Sequence, residues 1–174
     1  MATPPGIELV VGGARSGKSA YAERCALESG RDVVYFATAT VGDAEMAQRI
    51  SHHRERRPAH WSTVEEPVRL ADRLRAEAAP ERLLLVDCLT LWLTNLLLGP
   101  GLEPEAGKLL ETLPKLPGRV VLVSNEVGWG IVPENPLARV FRDEQGRLNQ
   151  RVASIATDVT LVAAGLPLRL KSSS

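Results

Sequence analysis

Gly12-Gly13-Ala14-Arg15-Ser16-Gly17-Lys18-Ser19 follows directly on a strand-like run at residues 7–11. A glycine, four residues, then glycine, lysine and a hydroxyl residue make the phosphate-loop pattern. Backbone N–H groups curl around phosphate oxygens, the lysine reaches the terminal phosphates and the hydroxyl holds Mg²⁺. A Cβ at the glycines would obstruct the left-handed backbone and its approach to an anion. The pattern carries meaning only between a strand and a helix, and both flanks comply. Residues 7–11 read as a buried parallel strand and residues 19–28 as a helix closed by Gly30, its positive end aimed at the loop.

Strand and helix signals alternate along the rest of the chain. Residues 33–37 are β-branched and aromatic enough for a second strand, which runs into Thr38-Ala39-Thr40. Asp43 caps an expected helix to Arg57, stopped by Pro58. A short strand at 61–65 and an amphipathic helix at 68–78 come next. The run Leu83-Leu84-Leu85-Val86-Asp87 is a buried strand ending in a carboxylate. Beside a phosphate loop that carboxylate is expected near the metal held by Ser19, the alternative being a simple turn former. Helices at 89–98 and 104–113 flank a Gly-Pro-Gly break, and residues 119–124 return to strand. A long Gly/Pro-rich loop occupies 125–136, the kind of segment that often carries function. Separate helices at 137–143 and 148–157, a strand at 159–163 and a pairing strand at 168–171 complete the chain. The expectation is one α/β domain over residues 1–174, a mainly parallel sheet with helices on both faces and loose ends at 1–6 and 172–174.

Composition narrows the function classes. With 174 residues, 44% hydrophobic and 24% charged, the chain can bury a real core. Lys plus Arg and Asp plus Glu both number 21, so no global positive field draws it to nucleic acid or an anionic membrane, and a small phosphorylated partner fits better. There is no leader-like or membrane-spanning run, which points to the cytoplasm. Cys25 and Cys88 make neither a disulfide framework nor a metal cluster and read as packing residues.

The phosphate loop, the His52-His53 helix leading into Arg57-Pro58-Ala59-His60-Trp61, and Asn125-Glu126-Val127-Gly128 through Ile131-Val132-Pro133-Glu134-Asn135 together resemble one family. So do Phe141-Arg142-Asp143, Gly146-Arg147 and Asn149-Gln150-Arg151. The family is the bifunctional adenosylcobinamide kinase / adenosylcobinamide-phosphate guanylyltransferase of cobalamin biosynthesis, and the likeness spans residues 7–170. It implies a RecA-like sheet, a homotrimer, and two reactions. The first phosphorylates the aminopropanol hydroxyl of adenosylcobinamide, and the second transfers GMP from GTP to that phosphate. It also implies that His52 is the nucleophile. Nucleotide contacts fall on Gly12, Gly13, Ala14, Arg15, Ser16, Gly17, Lys18, Ser19, Phe36, Ala37, Thr38, His53, Arg54, Glu55, Arg56, Glu65 and Asp87. GTP and ATP are substrates, with Mg²⁺ held by Ser19 and Asp87.

These residue types suit that chemistry. Phosphoryl transfer needs positioning and charge neutralisation, which the loop N–H groups, Lys18, Ser19 and Asp87 can supply. Lys18 is expected to be exposed to ligand rather than packed in the core. Nucleotidyl transfer adds a nucleophile, and a neutral imidazole can attack phosphorus and leave again. Neighbouring helix residues point about 100° apart, so His52 and His53 cannot both face one phosphorus. The competing reading of residues 51–57 is a solvated charged face, and that of Glu65, otherwise a guanine partner, is an exposed strand carboxylate. Arg54, Arg56 and Arg57 could neutralise triphosphate charge, and Asn125 and Glu126 could sense nucleotide or acceptor. Two other classes stay open: a small-molecule kinase without guanylyl transfer, and a RecA-like nucleic-acid ATPase, which the neutral charge balance disfavours.

Overall fold

The computed structural model describes residues 6–40, 48, 51, 54–55 and 57–173. Its strands are β1 (Gly6–Gly12), β2 (Asp32–Ala37), β3 (Ser62–Glu65), β4 (Arg82–Asp87), β5 (Arg119–Asn125), β6 (Asp158–Ala163) and β7 (Leu166–Lys171). Between them run α1 (Lys18–Glu28), α2 (Leu70–Glu77), α3 (Leu89–Leu97), α4 (Glu103–Thr112) with a 3₁₀ turn at Leu113–Lys115, and α5 (Pro136–Ile155). The strands form one sheet in the order β3-β2-β4-β5-β1-β6-β7, parallel throughout except for the terminal β6–β7 hairpin.

Strand residues alternate between the two faces, and in the central strands both faces are buried. Hence β4 and β5 read as unbroken apolar runs. Val10, Val33, Tyr35, Leu83, Leu85, Val121 and Val123 pack on one side against Ala22 and Ala26 of α1. On the other side Leu9, Val34, Phe36, Leu84, Val86, Val120 and Leu122 meet the apolar faces of α2, α3, α4 and α5. Helices cover both faces as expected, but unequally: among the described residues α1 supplies the buried helical side chains of the first cluster, with Leu91 of α3 packed against it. At the centre of the second, fully buried Trp92 donates its indole N–H to the Val68 carbonyl at 2.8 Å.

Two details differ from the sequence reading. Gly6, expected in a loose end, already pairs with Arg119. Residues 136–155 form one helix rather than two. Gly146 costs a helix only about 1 kcal/mol relative to Ala. Phe141, Gln145, Leu148, Asn149 and Val152 continue one inward-facing stripe through it, and Asn135 caps the start by accepting from the Leu137 and Ala138 N–H groups. The expected helix over 43–57 falls mostly outside the described residues, of which Gln48, Ser51, Arg54 and Glu55 are helical.

Trp92→Ala removes the largest fully buried side chain and strands the Val68 carbonyl. It should cost about 3–5 kcal/mol, seen as a lowered denaturant midpoint, with Trp92→Phe losing clearly less.

Candidate active site

The parallel strands bring Gly12, Ala37, Glu65, Asp87 and Asn125 to the same carboxyl edge of the sheet, where ligands of open α/β sheets bind. The loop between β1 and α1 folds around its own lysine. Lys18 Nζ donates to the Gly13 carbonyl at 3.1 Å. Gly12 is obligatory because a Cβ there would stand 2.5 Å from both Ser16 Oγ and the Val162 carbonyl oxygen. Gly17 adopts φ 94°, open to glycine at little cost, and Arg15 also has a left-handed backbone, φ 54°. Two neighbours hold the loop. Glu126 N–H donates to the Gly12 carbonyl at 2.9 Å, and Gly165 N–H, in the β6–β7 turn, donates to the Ser16 carbonyl at 2.8 Å.

Lys18 is buried, with 8% of its surface accessible, yet it joins neither apolar cluster, in keeping with a side chain expected outside the packed core. The loop curls over the amine, and this desolvation lowers its pKa, opposed by the nearby Cys88 and Asp87. Asp87 therefore faces the loop lysine closely enough to stabilise its charge. The carboxylate is itself held: Tyr35 Oη donates to Asp87 Oδ2 at 3.2 Å. Burial and then the Asp87 charge push the Tyr35 phenol well up, so it remains a neutral donor. Cys88 is buried, its thiol pushed up to about 11 by burial first and the Asp87 charge second, which leaves it protonated and without nucleophilic character near neutral pH.

The second-strand residues are placed by packing. The Phe36 side chain is fully buried among the helices of the larger core, so only its backbone reaches the edge. Thr38 is also buried. Its Oγ1 donates to the Cys88 carbonyl at 2.7 Å and accepts from the Cys88 N–H at 3.0 Å, tying β2 to the residue after Asp87. Glu65, at the tip of β3, is exposed and paired with Arg54, while Glu55 is exposed. Arg57 lies 3.7 Å from the centroid of the Tyr35 ring and donates to Thr63 Oγ1 at 3.2 Å. Arg54 and Arg57 thereby tie the described part of the charged segment to β2 and β3. His52, His53 and Arg56 lie outside the described residues.

Sequence reasoning left open whether Asn125 and Glu126 face nucleotide or acceptor, quoted Asn149 only as part of a family motif, and passed over Tyr35 and Gln145. Strand β5 lies between β1 and β4, and Asn125 is in register with Gly12. Behind it runs a buried amide network. Gln145 Nε2 donates to Ser124 Oγ at 2.9 Å and to Asn149 Oδ1 at 3.0 Å. Ser124 Oγ donates to Asn149 Oδ1 at 2.6 Å, and Asn149 Nδ2 donates to the Asn125 carbonyl at 3.0 Å and weakly to Glu126 Oε1 at 3.4 Å. Asn125 Oδ1 is buried without a hydrogen-bond partner among the described residues, a polar atom held at the edge that accommodates a ligand. The available signal was a pair of amides four residues apart on an otherwise apolar helix face.

Lys18→Ala should weaken triphosphate binding at least tenfold while leaving the denaturation midpoint within about 1 kcal/mol of the parent, since the loop glycines and their ties remain. Titration with a fluorescent GTP analogue beside a urea melt measures both; parent-like affinity would remove the loop from the site.

The family model described as cobinamide kinase / cobinamide phosphate guanyltransferase matches residues 8–170. The bifunctional adenosylcobalamin biosynthesis protein CobP of Pseudomonas aeruginosa is 58% identical over 94% of this chain and 96% of its own length. CobU of Escherichia coli K12, with the same bifunctional description, is 43% identical over 94% of this chain and 98% of its own. Solved structures share the fold at low identity. The flagellar accessory protein FlaH of Methanocaldococcus jannaschii matches at TM-score 0.56 and 11% identity, over 98% of this chain and 80% of that one. The RadB recombinase matches at TM-score 0.54 and 19% identity, over 92% and 75%. The architecture is thus an α/β phosphate-loop fold of RecA-like type, and over nearly its whole length the chain belongs to the cobinamide kinase / cobinamide phosphate guanyltransferase family.

Proposed function

We propose that this chain phosphorylates adenosylcobinamide and then guanylylates the product, yielding adenosylcobinamide-GDP in cobalamin biosynthesis. The observation that carries this reading is the convergence of the buried Lys18 and the Tyr35-held Asp87 on one sheet edge, in a chain of this family. In the first step the aminopropanol hydroxyl oxygen attacks the γ-phosphorus of a nucleoside triphosphate. The bond to the β-phosphate breaks, the nucleoside diphosphate leaves and the hydroxyl proton passes to solvent. Lys18 and the loop N–H groups hold the terminal phosphates in line and neutralise developing charge.

In the second step a ring nitrogen of His52 attacks the α-phosphorus of GTP and pyrophosphate leaves. A phosphate oxygen of the corrinoid then attacks the same phosphorus, breaking the P–N bond and restoring the imidazole. His52 lies outside the described residues. Its flanks support the assignment: Arg57 stacks on Tyr35, whose hydroxyl bonds Asp87, and Arg54 pairs with Glu65 at the neighbouring strand tip. In this reading His53, Arg54, Glu55 and Arg56 contact the nucleotide, and Glu65 exchanges Arg54 for guanine.

Ser19 and Asp87 would hold Mg²⁺ together with the phosphates. The donor set fits in chemistry: Ser19 offers a hydroxyl in the first turn of α1 and Asp87 a carboxylate at the carboxyl edge of the sheet, and Mg²⁺ asks for only one or two protein oxygens beside phosphate. When bound, the ion supplies further neutralisation of phosphate charge. A homotrimer belongs to the proposal, and sedimentation equilibrium returning three chain masses is its test.

Asp87→Asn should raise the Mg²⁺ concentration for half-maximal activity severalfold with little change in thermal stability; a parent-like titration makes Asp87 a turn former only. Incubation with α-labelled GTP should leave label on the denatured protein that is stable in base and lost in acid, as a phosphoramidate requires. His52→Ala should lose the label and the transferase rate together, while His53→Ala keeps part of both. An unlabelled parent would reduce the reading to a kinase, and label retained in the His52 variant would place the nucleophile elsewhere.

A further inference from the structure

The loop after β5 carries a feature the phosphate chemistry does not use. Trp129 is 71% exposed, Ile131 96% and Val132 56%, and the start of α5 adds exposed Leu137 and Val140. All five fall within twelve residues on one loop and the helix start it leads into, and exposed apolar residues gathered on one segment mark binding surfaces. It is also held in place. Its root is fixed by the Glu126 N–H on Gly12 and by Asn149 on the Asn125 carbonyl. At its far end Arg139 Nη1 donates to the Pro133 carbonyl at 3.0 Å and to the Glu134 carbonyl, beside the Asn135 cap.

We propose that this loop and the first turns of α5 form the docking surface for the corrin ring of the acceptor, with Trp129 and Ile131 as its apolar floor. The proposal rests on the cobinamide reading above and deepens it. Position argues for it first. Trp129 is three steps along the chain from Glu126, whose N–H touches the phosphate loop, so their Cα atoms are at most about 11 Å apart. An acceptor must place its hydroxyl beside the terminal phosphate while its ring lies a side-arm's length away. Chemistry argues next. Residues 125–137 contain no Lys or Arg and only the carboxylates Glu126 and Glu134, and on the adjoining turns of α5 Arg139 donates to the Pro133 and Glu134 carbonyls while Arg142 lies beside Gly128, so the loop's own side chains suit an apolar face better than a triphosphate. It does suit a broad, flat macrocycle fringed by amide N–H donors. An aromatic ring and two branched aliphatic side chains bury such a face at low conformational cost. The exposed leucines of β7, Leu166, Leu168 and Leu170, form a separate apolar row on the edge strand and serve as the control surface.

The test uses the full chain with Trp129→Ala/Ile131→Ser, Trp129→Phe and Leu168→Ser. Cobinamide binding is measured by equilibrium dialysis read at the corrin absorbance, nucleotide binding by a fluorescent GTP analogue, and assembly by sedimentation velocity. The double variant should bind cobinamide at least tenfold more weakly and raise its KM correspondingly. Its nucleotide affinity, sedimentation and kcat at saturating cobinamide should stay within twofold of the parent. Trp129→Phe should recover most of the affinity, and Leu168→Ser should bind like the parent. Unchanged cobinamide affinity in the double variant overturns the assignment. So does a loss of affinity accompanied by dissociation into smaller species, because the patch would then be a contact between copies. A parent chain that binds no cobinamide defeats the functional reading itself and the docking surface with it, a result distinct from parent and variant binding equally.

Discussion

The site depends on one backbone constraint: between Gly12 and the Val162 carbonyl there is room for a hydrogen atom and no more. That close approach lets the phosphate loop lie against the β6–β7 turn on one flank and the tip of β5 on the other, with one hydrogen bond to each. Clamped this way, the loop can enclose the Lys18 amine and point it at Gly13 rather than leave it in solvent. A buried ammonium without a full set of partners is poised for an anion, because a phosphate restores the stabilisation that desolvation removed. The lowered pKa of Lys18 expresses that unmet demand, which the nearby Asp87 offsets only in part.

The placement of β5 follows from the same economy of space. Lying between β1 and β4, it separates the loop strand from the Asp87 strand and delivers Asn125 and Glu126 beside Gly12. The amide network of Ser124, Gln145 and Asn149 then fixes that tip from behind. Buried polar groups of this kind stabilise little on balance, but they specify one arrangement, since a shifted tip would leave several of them unpaired. The helical layer of the larger cluster and the smaller cluster against α1 together hold the sheet from both faces.

Charge divides the edge into two zones. Lys18, Arg54 and Arg57 gather around the tips of β1, β2 and β3, whereas the loop from β5 to α5 carries no basic side chain of its own. An enzyme that joins a polyanion to a large, largely apolar acceptor needs both surfaces within a side-arm's length of each other. The paired Arg54–Glu65 and the stacked Arg57 also show how a charged run that reads as a solvated face can be tied to the sheet.

What the sequence determined by itself is local or periodic. The phosphate loop is eight consecutive residues; the strands at β4 and β5 are apolar runs because both of their faces are buried; α1 and the Asn135-capped start of α5 carry their own termini. The family likeness came from the same kind of contiguous motif. Tertiary structure alone decided the sheet order, the burial of Lys18, the single helix through Gly146, and the company kept by Asp87. Tyr35 and Asp87 are 52 residues apart, and Glu126 is over a hundred residues from Gly12. Nothing in a local pattern states which strands are neighbours, and a side chain at a strand tip acquires its chemistry only from those neighbours. Asn149 belongs to a motif the sequence shows, but only the fold turns it toward the end of β5, where a buried amide must find partners.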